Sequence, residues 1–534
     1  MTVNVHERSV LIVGSGFAGL GMAIRLKQAG IDDFVVLEQG DDVGGTWRDN
    51  HYPGCACDVP SQLYSFSFEP WPGWTRDFAP QAEILEYLRH CTDKHGVRPH
   101  IRFRSRVEGA RWIEADGVWE VRASDGATWR ARVVVSGCGP LSRPKLPDIP
   151  GLGSFEGKTF HSARWDHAFP LEGKAVAVVG TGASAVQIVP EIAPKVGKLF
   201  VYQRTAPWVM PKPDGPIAPW KRRLYARVPA AQSVARQGIY WSRELLALGF
   251  VVEPRIMKLG ERIARRNLAR KVADPVLREK LTPSYTMGCK RVLPTNRYLP
   301  ALQRENVDLV TEGIAEVRAH SIVSKDGTER AVDAIVLATG FEGGEQLAPF
   351  EVLGRGGRDL SQVWHDGASA YLGTAVSGFP NLFLLIGPNT GLGHSSMVFM
   401  IESQVAYVVD ALKKMRARGI ASVDVKPEAQ ARYNARIQER LKGTVWSSGC
   451  MSWYLTRSGK NTSIWPGFTV EFRLRTRRFD LGSYRQVKRA EKGANADGAN
   501  ANGAQNANGA QPAAGASVAH APERTTSSRS FTLT

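Results

Sequence analysis

The chain of 534 residues lacks any uninterrupted apolar run of the roughly 18 to 20 residues that a membrane span requires. Its opening stretch, Met1 to Ser9, is charged and has no apolar signal region, because the first apolar run, at Leu11, reads as a strand. A cytoplasmic location is therefore the expectation. Cysteine is scarce. Cys55, Cys57, Cys91, Cys138, Cys289 and Cys450 are too few for a disulfide framework, so unpaired structural thiols are expected. Cys55-Ala56-Cys57 is not a C-x-x-C redox spacing, and no second close pair completes a metal site, so no metal is expected. Acids are in the minority, 51 against 69 lysines and arginines, for a formal charge of +18. The basic residues are spread along the chain without a recognisable reader motif, which argues against a nucleic-acid partner. Their densest run, Arg262 to Lys280, reads as a solvated helical face or as a weak contact with an anionic membrane surface.

What is present is an ordinary apolar fraction, 43%, in a chain long enough for two or three domains. Ser9 to Val13 is an apolar run suited to a buried strand. It enters Gly14-Ser15-Gly16-Phe17-Ala18-Gly19, a G-x-G-x-x-G turn opening a helix, and a second apolar run, Phe34 to Leu37, ends in Glu38. Gly14, Gly16 and Gly19 allow a tight turn, close approach of a pyrophosphate and close packing of helix on strand. The helix start offers free N–H groups to the phosphates, and Glu38 stands where an acid accepts hydrogen bonds from a ribose. Just beyond, Gly44-Gly45-Thr46-Trp47-Arg48 and Tyr52-Pro53-Gly54 read as an ordered loop that covers a cofactor ring.

The same device recurs. Lys174 to Val179 leads into Gly180-Thr181-Gly182-Ala183-Ser184-Ala185, with Ala185 at the close-packing position, and Leu199 to Tyr202 is followed by Arg204. Arg204 has the same offset from Ala185 as Glu38 has from Gly19. An acid suits an unphosphorylated adenosine ribose, whereas a planar guanidinium can grip a 2′-phosphate through paired hydrogen bonds. The residues thus assign FAD to the first site and NADPH to the second.

The fold class expected is α/β, with two Rossmann-like dinucleotide-binding domains and a helical insert. Residues 1–144 and 379–487 would form the FAD-binding domain, the latter with the wall of a substrate pocket. Residues 145–216 and 286–378 would form the NADP-binding domain. The insert would be 217–285, and 488–534, rich in Ala, Asn and Gly, a disordered tail. Ser395 or Ser396 can cap a long helix with an apolar face from Val398 to Leu412, a second contact to the flavin.

Two nucleotide motifs with the Gly45-Thr46-Trp47 loop between them resemble the class B flavin monooxygenases. Phe155-x-Gly157-x-x-x-His161-x-x-x-Trp165-Asp166, placed between the motifs, is similar to the fingerprint of type I Baeyer–Villiger monooxygenases at every fixed position, and Ala338-Thr339-Gly340 also fits. The resemblance covers about residues 8 to 487. It implies NADPH- and O2-dependent insertion of an oxygen atom beside the carbonyl of a small apolar ketone, through a C4a-peroxyflavin, to give an ester or lactone.

By the same resemblance, Arg291 is the catalytic arginine and Asp58 its acidic partner. Lys290 and Thr205 join Arg204 at the NADPH phosphate, Gln187 contacts the pyrophosphate or nicotinamide side, and Trp465 closes over the nicotinamide end. Phe155, Gly157, His161, Trp165 and Asp166 act as a hinge between domains rather than as reacting groups. Two alternatives stand beside this reading. One is a monooxygenase that hydroxylates amines or oxidises sulfides through a hydroperoxyflavin. The other is a nucleotide-binding redox sensor without turnover. A disulfide reductase would need a redox-active cysteine pair that the spacing does not supply.

Overall fold

A computed structural model describes residues 5–342, 350–450, 452–456 and 458–489. The Ala/Asn/Gly-rich tail from residue 490 onward lies outside the described residues, as does the expectation of its disorder; Lys488, which that expectation included, ends a strand.

Two sheets carry the molecule. The first is mixed. Its strands run in the order Glu351–Leu353, Val107–Ile113, Val118–Ala123, Thr128–Ser136, Val5–Val13, Phe34–Leu37 and Ile101–Arg102. Leu382–Leu384 pairs with the C-terminal half of Thr128–Ser136. At the centre Val5–Val13 is parallel to both neighbours, Ile12 standing opposite Val36 and Val135. The second sheet is wholly parallel, in the order Val307–Val310, Lys198–Tyr202, Ala175–Val179, Ala334–Leu337 and Lys158–His161. Its central strands are unbroken apolar runs because helices and loops cover both faces. This is the two-Rossmann α/β architecture expected. One boundary shifts: Glu351–Leu353 pairs with Val107–Ile113 of the first sheet, so the chain has returned to that sheet well before residue 379.

The insert consists of helices Pro219–Arg227, Pro229–Ala247, Met257–Lys271 and Pro275–Lys280. Three of the four start with proline, whose missing N–H costs nothing in a first turn. The longest of them is pinned to the loop after the first nucleotide motif. Gln232 donates to Gln62 at 2.7 Å and to the Trp71 carbonyl at 2.8 Å, and Arg236 donates to the carbonyls of Gln62 and Ser65.

The two chain segments that pass between the sheets lie side by side. Pro144 bridges Phe341, Lys145 N–H donates to the Gly340 carbonyl at 2.9 Å, and Thr339 Oγ1 donates to the Lys145 carbonyl at 2.6 Å.

Candidate active site

At the first glycine turn, a methyl group added to Gly19 would fall 1.8 Å from the Gly14 carbonyl oxygen, so the helix can lie this close to the strand only with glycine there. Gly16 precedes the helix without a side-chain cap, leaving the first N–H groups of Phe17–Gln28 for an anion. Gly45 lies against Gly16, and Gly44 N–H donates to the Ser15 carbonyl, so the Thr46–Trp47 loop is held over the turn. Glu38 is buried. Its Oε2 accepts from the Ser15 N–H and Oγ at 2.8 and 2.7 Å, and its Oε1 from Gly40 N–H and Arg48 Nη1. Arg48, which no motif marks as a site residue, is the counter-ion of that buried carboxyl group, 2.8 Å from it. Trp47 Nε1 donates to Tyr64 at 3.2 Å.

At the second turn Ala185 is fully buried at the helix start, and nothing stands within 4 Å of a side chain added to Gly182, so the backbone is open to a ligand. Arg204 is exposed at the end of its strand, and the Thr205 carbonyl accepts from Thr181 Oγ1 at 3.2 Å. Lys290 comes to the same place from far along the chain. Burial lowers its ammonium pKa first, and the charge of Arg204 lowers it further, so the two cations share one neighbourhood. Glycine turn, uncapped helix start and paired cations fit a phosphorylated dinucleotide, as the first site fits one whose ribose is free.

Between the two sites stands an ion pair. Arg291 Nε donates to Asp58 Oδ2 at 2.9 Å, and Nη2 to both carboxylate oxygens at 2.6 and 2.7 Å, leaving Nη1 to reach the Leu392 carbonyl at 3.2 Å. The side chains are 31% and 27% exposed, so the pair is neither sealed nor at the surface. The carboxylate of Asp58 holds the Arg291 guanidinium above its already high range, against the opposing effect of burial. Each partner is placed by its own backbone. Val209–Met210 pairs with Leu293–Pro294, two residues beyond Arg291. Cys57 N–H donates to the Ala79 carbonyl beside Asp58, and Lys212 Nζ donates to the Cys57 carbonyl at 3.3 Å.

Gln187 links this loop to the second nucleotide helix. Its amide donates to the Ala56 carbonyl at 2.9 Å and accepts from Tyr52 OH at 2.9 Å. It therefore stands between the two nucleotide sites, with its polar atoms already engaged. Trp465, expected to close over the nicotinamide end, is corrected by the structure. It is 0% exposed, donates Nε1–H to the Phe468 carbonyl at 3.0 Å and packs on Phe472, a core residue with no free face. Ser396 caps the helix Met397–Ala417.

Around the ion pair are groups that no local pattern announced. Arg243 and Tyr454 are close enough to interact electrostatically with both Asp58 and Arg291. His394 has a fully buried imidazole whose pKa is pushed down to about 4, by burial first and then by the charges of Arg291 and Arg243. Neither ring nitrogen has a hydrogen-bond partner, and Glu244 Oε1 lies 4.0 Å from Nε2. Only the glycine-rich Gly391-Leu392-Gly393 loop hinted that the backbone is closely approached here. The expectation that every cysteine is unpaired is also corrected: Cys289, directly before Lys290, is joined to Cys450, with Cα atoms 6.3 Å apart. Sequence spacing of 161 residues hid the pair. The remaining four are free thiols, and burial pushes those of Cys55 and Cys91 up to about 12.

In the fingerprint, His161 ends the edge strand of the second sheet. Its Nδ1 accepts from Ala163 N–H at 3.1 Å, which leaves Nε2–H to donate to the Gly340 carbonyl at 3.0 Å. That carbonyl belongs to one of the two crossing segments. Trp165 is buried edge-on against Phe160, and Asp166 pairs with Lys158 at 2.7 Å. A side chain on Gly157 would strike the Phe155 ring and the Asp333 carbonyl. The fingerprint thus touches the crossing and not the Asp58–Arg291 pair. Among the described residues no group of three His, Cys, Asp or Glu could hold a metal ion.

Residues 11–236 match the family model of pyridine nucleotide-disulphide oxidoreductases. The chain is 50% identical over 501 residues to a Baeyer-Villiger monooxygenase of Streptomyces coelicolor, covering 93% of this chain and 96% of that protein. It is 51% identical over 477 residues to a Baeyer-Villiger monooxygenase of Pseudomonas aeruginosa, covering 89% and 90%. Among solved structures, an oxidised steroid monooxygenase bound to NADP superposes with a TM-score of 0.80 at 31% identity, over 90% of this chain and 100% of that one. An OTEMO complex with FAD and NADP gives 0.80 at 28% identity, over 90% and 99%.

Proposed function

Because the chain belongs to the Baeyer–Villiger monooxygenases of the class B flavoprotein family, we propose that it oxidises a small apolar ketone to an ester or lactone, with Arg291 and Asp58 as its polar centre. Ketone, dioxygen, NADPH and a proton give ester, NADP+ and water. FAD and NADP(H) binding follows from the family and fits both glycine turns. When bound, FAD supplies electron transfer from NADPH and activation of dioxygen.

The observation that carries the proposal is the three-bond lock between Arg291 and Asp58. It fixes the plane of a permanently charged guanidinium at a partly open position between the two nucleotide sites. As oxygen adds to a carbonyl carbon, negative charge builds on the carbonyl oxygen, and a donor already oriented there stabilises it without reorganisation. Asp58 orients Arg291 and maintains its charge. Arg204, Lys290 and Thr205 hold the 2′-phosphate of NADPH, and the N–H groups after Gly16 hold the pyrophosphate of FAD. Buried Tyr454, close enough to interact with both charges, limits access of water. Work of this kind fits the cytoplasm, where NADPH is supplied.

The test is a panel of cyclic, aryl, aliphatic and steroid ketones with NADPH and air, with products weighed by mass spectrometry. A product one oxygen heavier than its ketone, hydrolysable to acid and alcohol, is expected. NADPH consumption that no ketone alters, with only sulfides or amines oxygenated, would overturn the assignment.

A further inference from the structure

The helical insert turns an apolar surface outward that the core does not use. On Pro219–Arg227 and its end, Trp220, Leu224 and Val228 recur every four residues and are 66%, 40% and 45% exposed. On Pro229–Ala247, Val234, Trp241 and Leu245 follow at spacings of seven and four and are 72%, 54% and 67% exposed. On and just before Met257–Lys271, Ile256, Leu259 and Ile263 repeat the pattern at three and four. Spacings of three, four and seven place residues on one face of a helix. Single exposed apolar residues are ordinary, but three stripes on consecutive helices of one insert are not.

The stripes are not misplaced core. The opposite face of Pro229–Ala247 is fully committed: Gln232 and Arg236 bond the loop at residues 62–71, and Glu244 accepts from Thr469 N–H at 3.0 Å. Charge identifies the occupant. Pro219–Lys271 carries 13 lysines and arginines and only three acids, an excess of ten out of a chain total of +18. Lys221 and Arg223 lie beside Trp220 and Leu224, and Lys258 and Arg262 beside Leu259 and Ile263, all exposed. A second copy of this surface would bring like charges together. An anionic bilayer instead offers apolar depth to the stripes and phosphates to the cations.

We propose that the helical insert docks the protein on the surface of an anionic phospholipid bilayer, Trp220, Val234, Trp241, Leu245 and Leu259 entering the interface and the adjacent cations meeting lipid headgroups. Binding of this kind is peripheral, since no helix among the described residues is long and apolar enough to cross a membrane. It also has a consequence that rests on the ketone reading. The inner face of the same helix carries Arg243, electrostatically coupled to Asp58 and Arg291, so a ketone dissolved in lipid would arrive one helix away from the site.

The experiment is sedimentation of the full-length holoenzyme with vesicles of phosphatidylcholine alone or with one-third phosphatidylglycerol. Pelleting with the anionic vesicles at low ionic strength, its loss at high salt, and no pelleting with neutral vesicles are expected. Trp241→Glu combined with Leu245→Glu should weaken binding by roughly a hundredfold, about tenfold for each apolar side chain kept out of lipid. Lys258→Gln combined with Arg262→Gln should weaken it less and flatten its salt dependence. Both variants should still reduce bound flavin with NADPH at the wild-type rate, which reports an intact fold independently of ketone turnover. If the glutamate variant does not fold, the glutamine variant decides. Equal pelleting with neutral and anionic vesicles, or unchanged binding by the variants, would overturn the proposal. So would a wild-type dimer in solution dispersed by the glutamate variant.

Discussion

The two glycine turns are built on one plan and end in opposite charges. The first closes on Glu38, buried and bonded by Ser15, Gly40 and Arg48. The second ends on Arg204, exposed, with Lys290 brought beside it from another part of the chain. A carboxylate inside a closed bond set suits a ribose that arrives once and stays. A cation pair with one member exposed and the other half-buried suits a phosphate that exchanges every turnover. On the proposed reading the same backbone device serves both ligands, and the side chain at the end of the following strand sets which dinucleotide each turn takes.

The comparison is sharpest where the two sites meet. Arg291→Ala should lower ester formation by roughly a hundred- to thousandfold, the usual cost of losing one oriented donor at a developing oxyanion. Flavin reduction by NADPH, followed by loss of flavin absorbance without oxygen, should persist. Ketone oxidation at near the wild-type rate would remove Arg291 from the chemistry. A variant that also fails to reduce flavin would make it part of the NADPH site instead.

That pair also marks the limit of what the chain revealed before it folded. Gly14 to Glu38 and Gly180 to Arg204 were readable because strand, turn, helix and charged residue are contiguous, and local geometry alone fixes their arrangement. Asp58 and Arg291 lie 233 residues apart, and their pairing entered only through resemblance. Arg243 and the Cys289–Cys450 bond had no signal, and His394 only the glycine-rich loop before it, since each is defined by what packs against it from elsewhere. Trp465 was misread for the same reason: a tryptophan in a loop looks alike whether it faces a ligand or Phe472. The exposed stripes of the insert were hidden differently. Their spacing was helical, but only the fold shows which face of an apolar helix meets the core.

Glu38→Gln breaks the first half of the comparison. It leaves Arg48 without its full counter-charge in a buried place, and FAD retention after gel filtration should fall by about tenfold or more. Arg204→Ala breaks the second half. The KM for NADPH should rise by roughly tenfold, the worth of a charge-assisted phosphate contact, while that for NADH stays within about twofold. Equal weakening of both coenzymes would show that Arg204 does not read the 2′-phosphate, and the contrast between the sites would then rest on Lys290.

The smallest effect expected concerns how the sites are kept in step. His161 hangs the edge of the second sheet on the Gly340 carbonyl, in a segment paired with residues 144–145 as both cross between the sheets. Nδ1 accepts from Ala163 N–H, so the link to Gly340 is made by a neutral ring, and burial, which lowers the His161 pKa against the opposing bond to Gly340, favours that form. A group that ties such a crossing would act on relative motion and not on the reacting atoms. His161→Phe preserves bulk but deletes the bond. It should leave anaerobic flavin reduction unchanged and raise the NADPH consumed per ester formed by a few fold. His161→Gln, whose amide N–H reaches about as far as Nε2, should restore part of the coupling. If the ratio stays constant in both variants and only the melting temperature drops, His161 is a packing residue and the two crossing segments need no other explanation than their own hydrogen bonds.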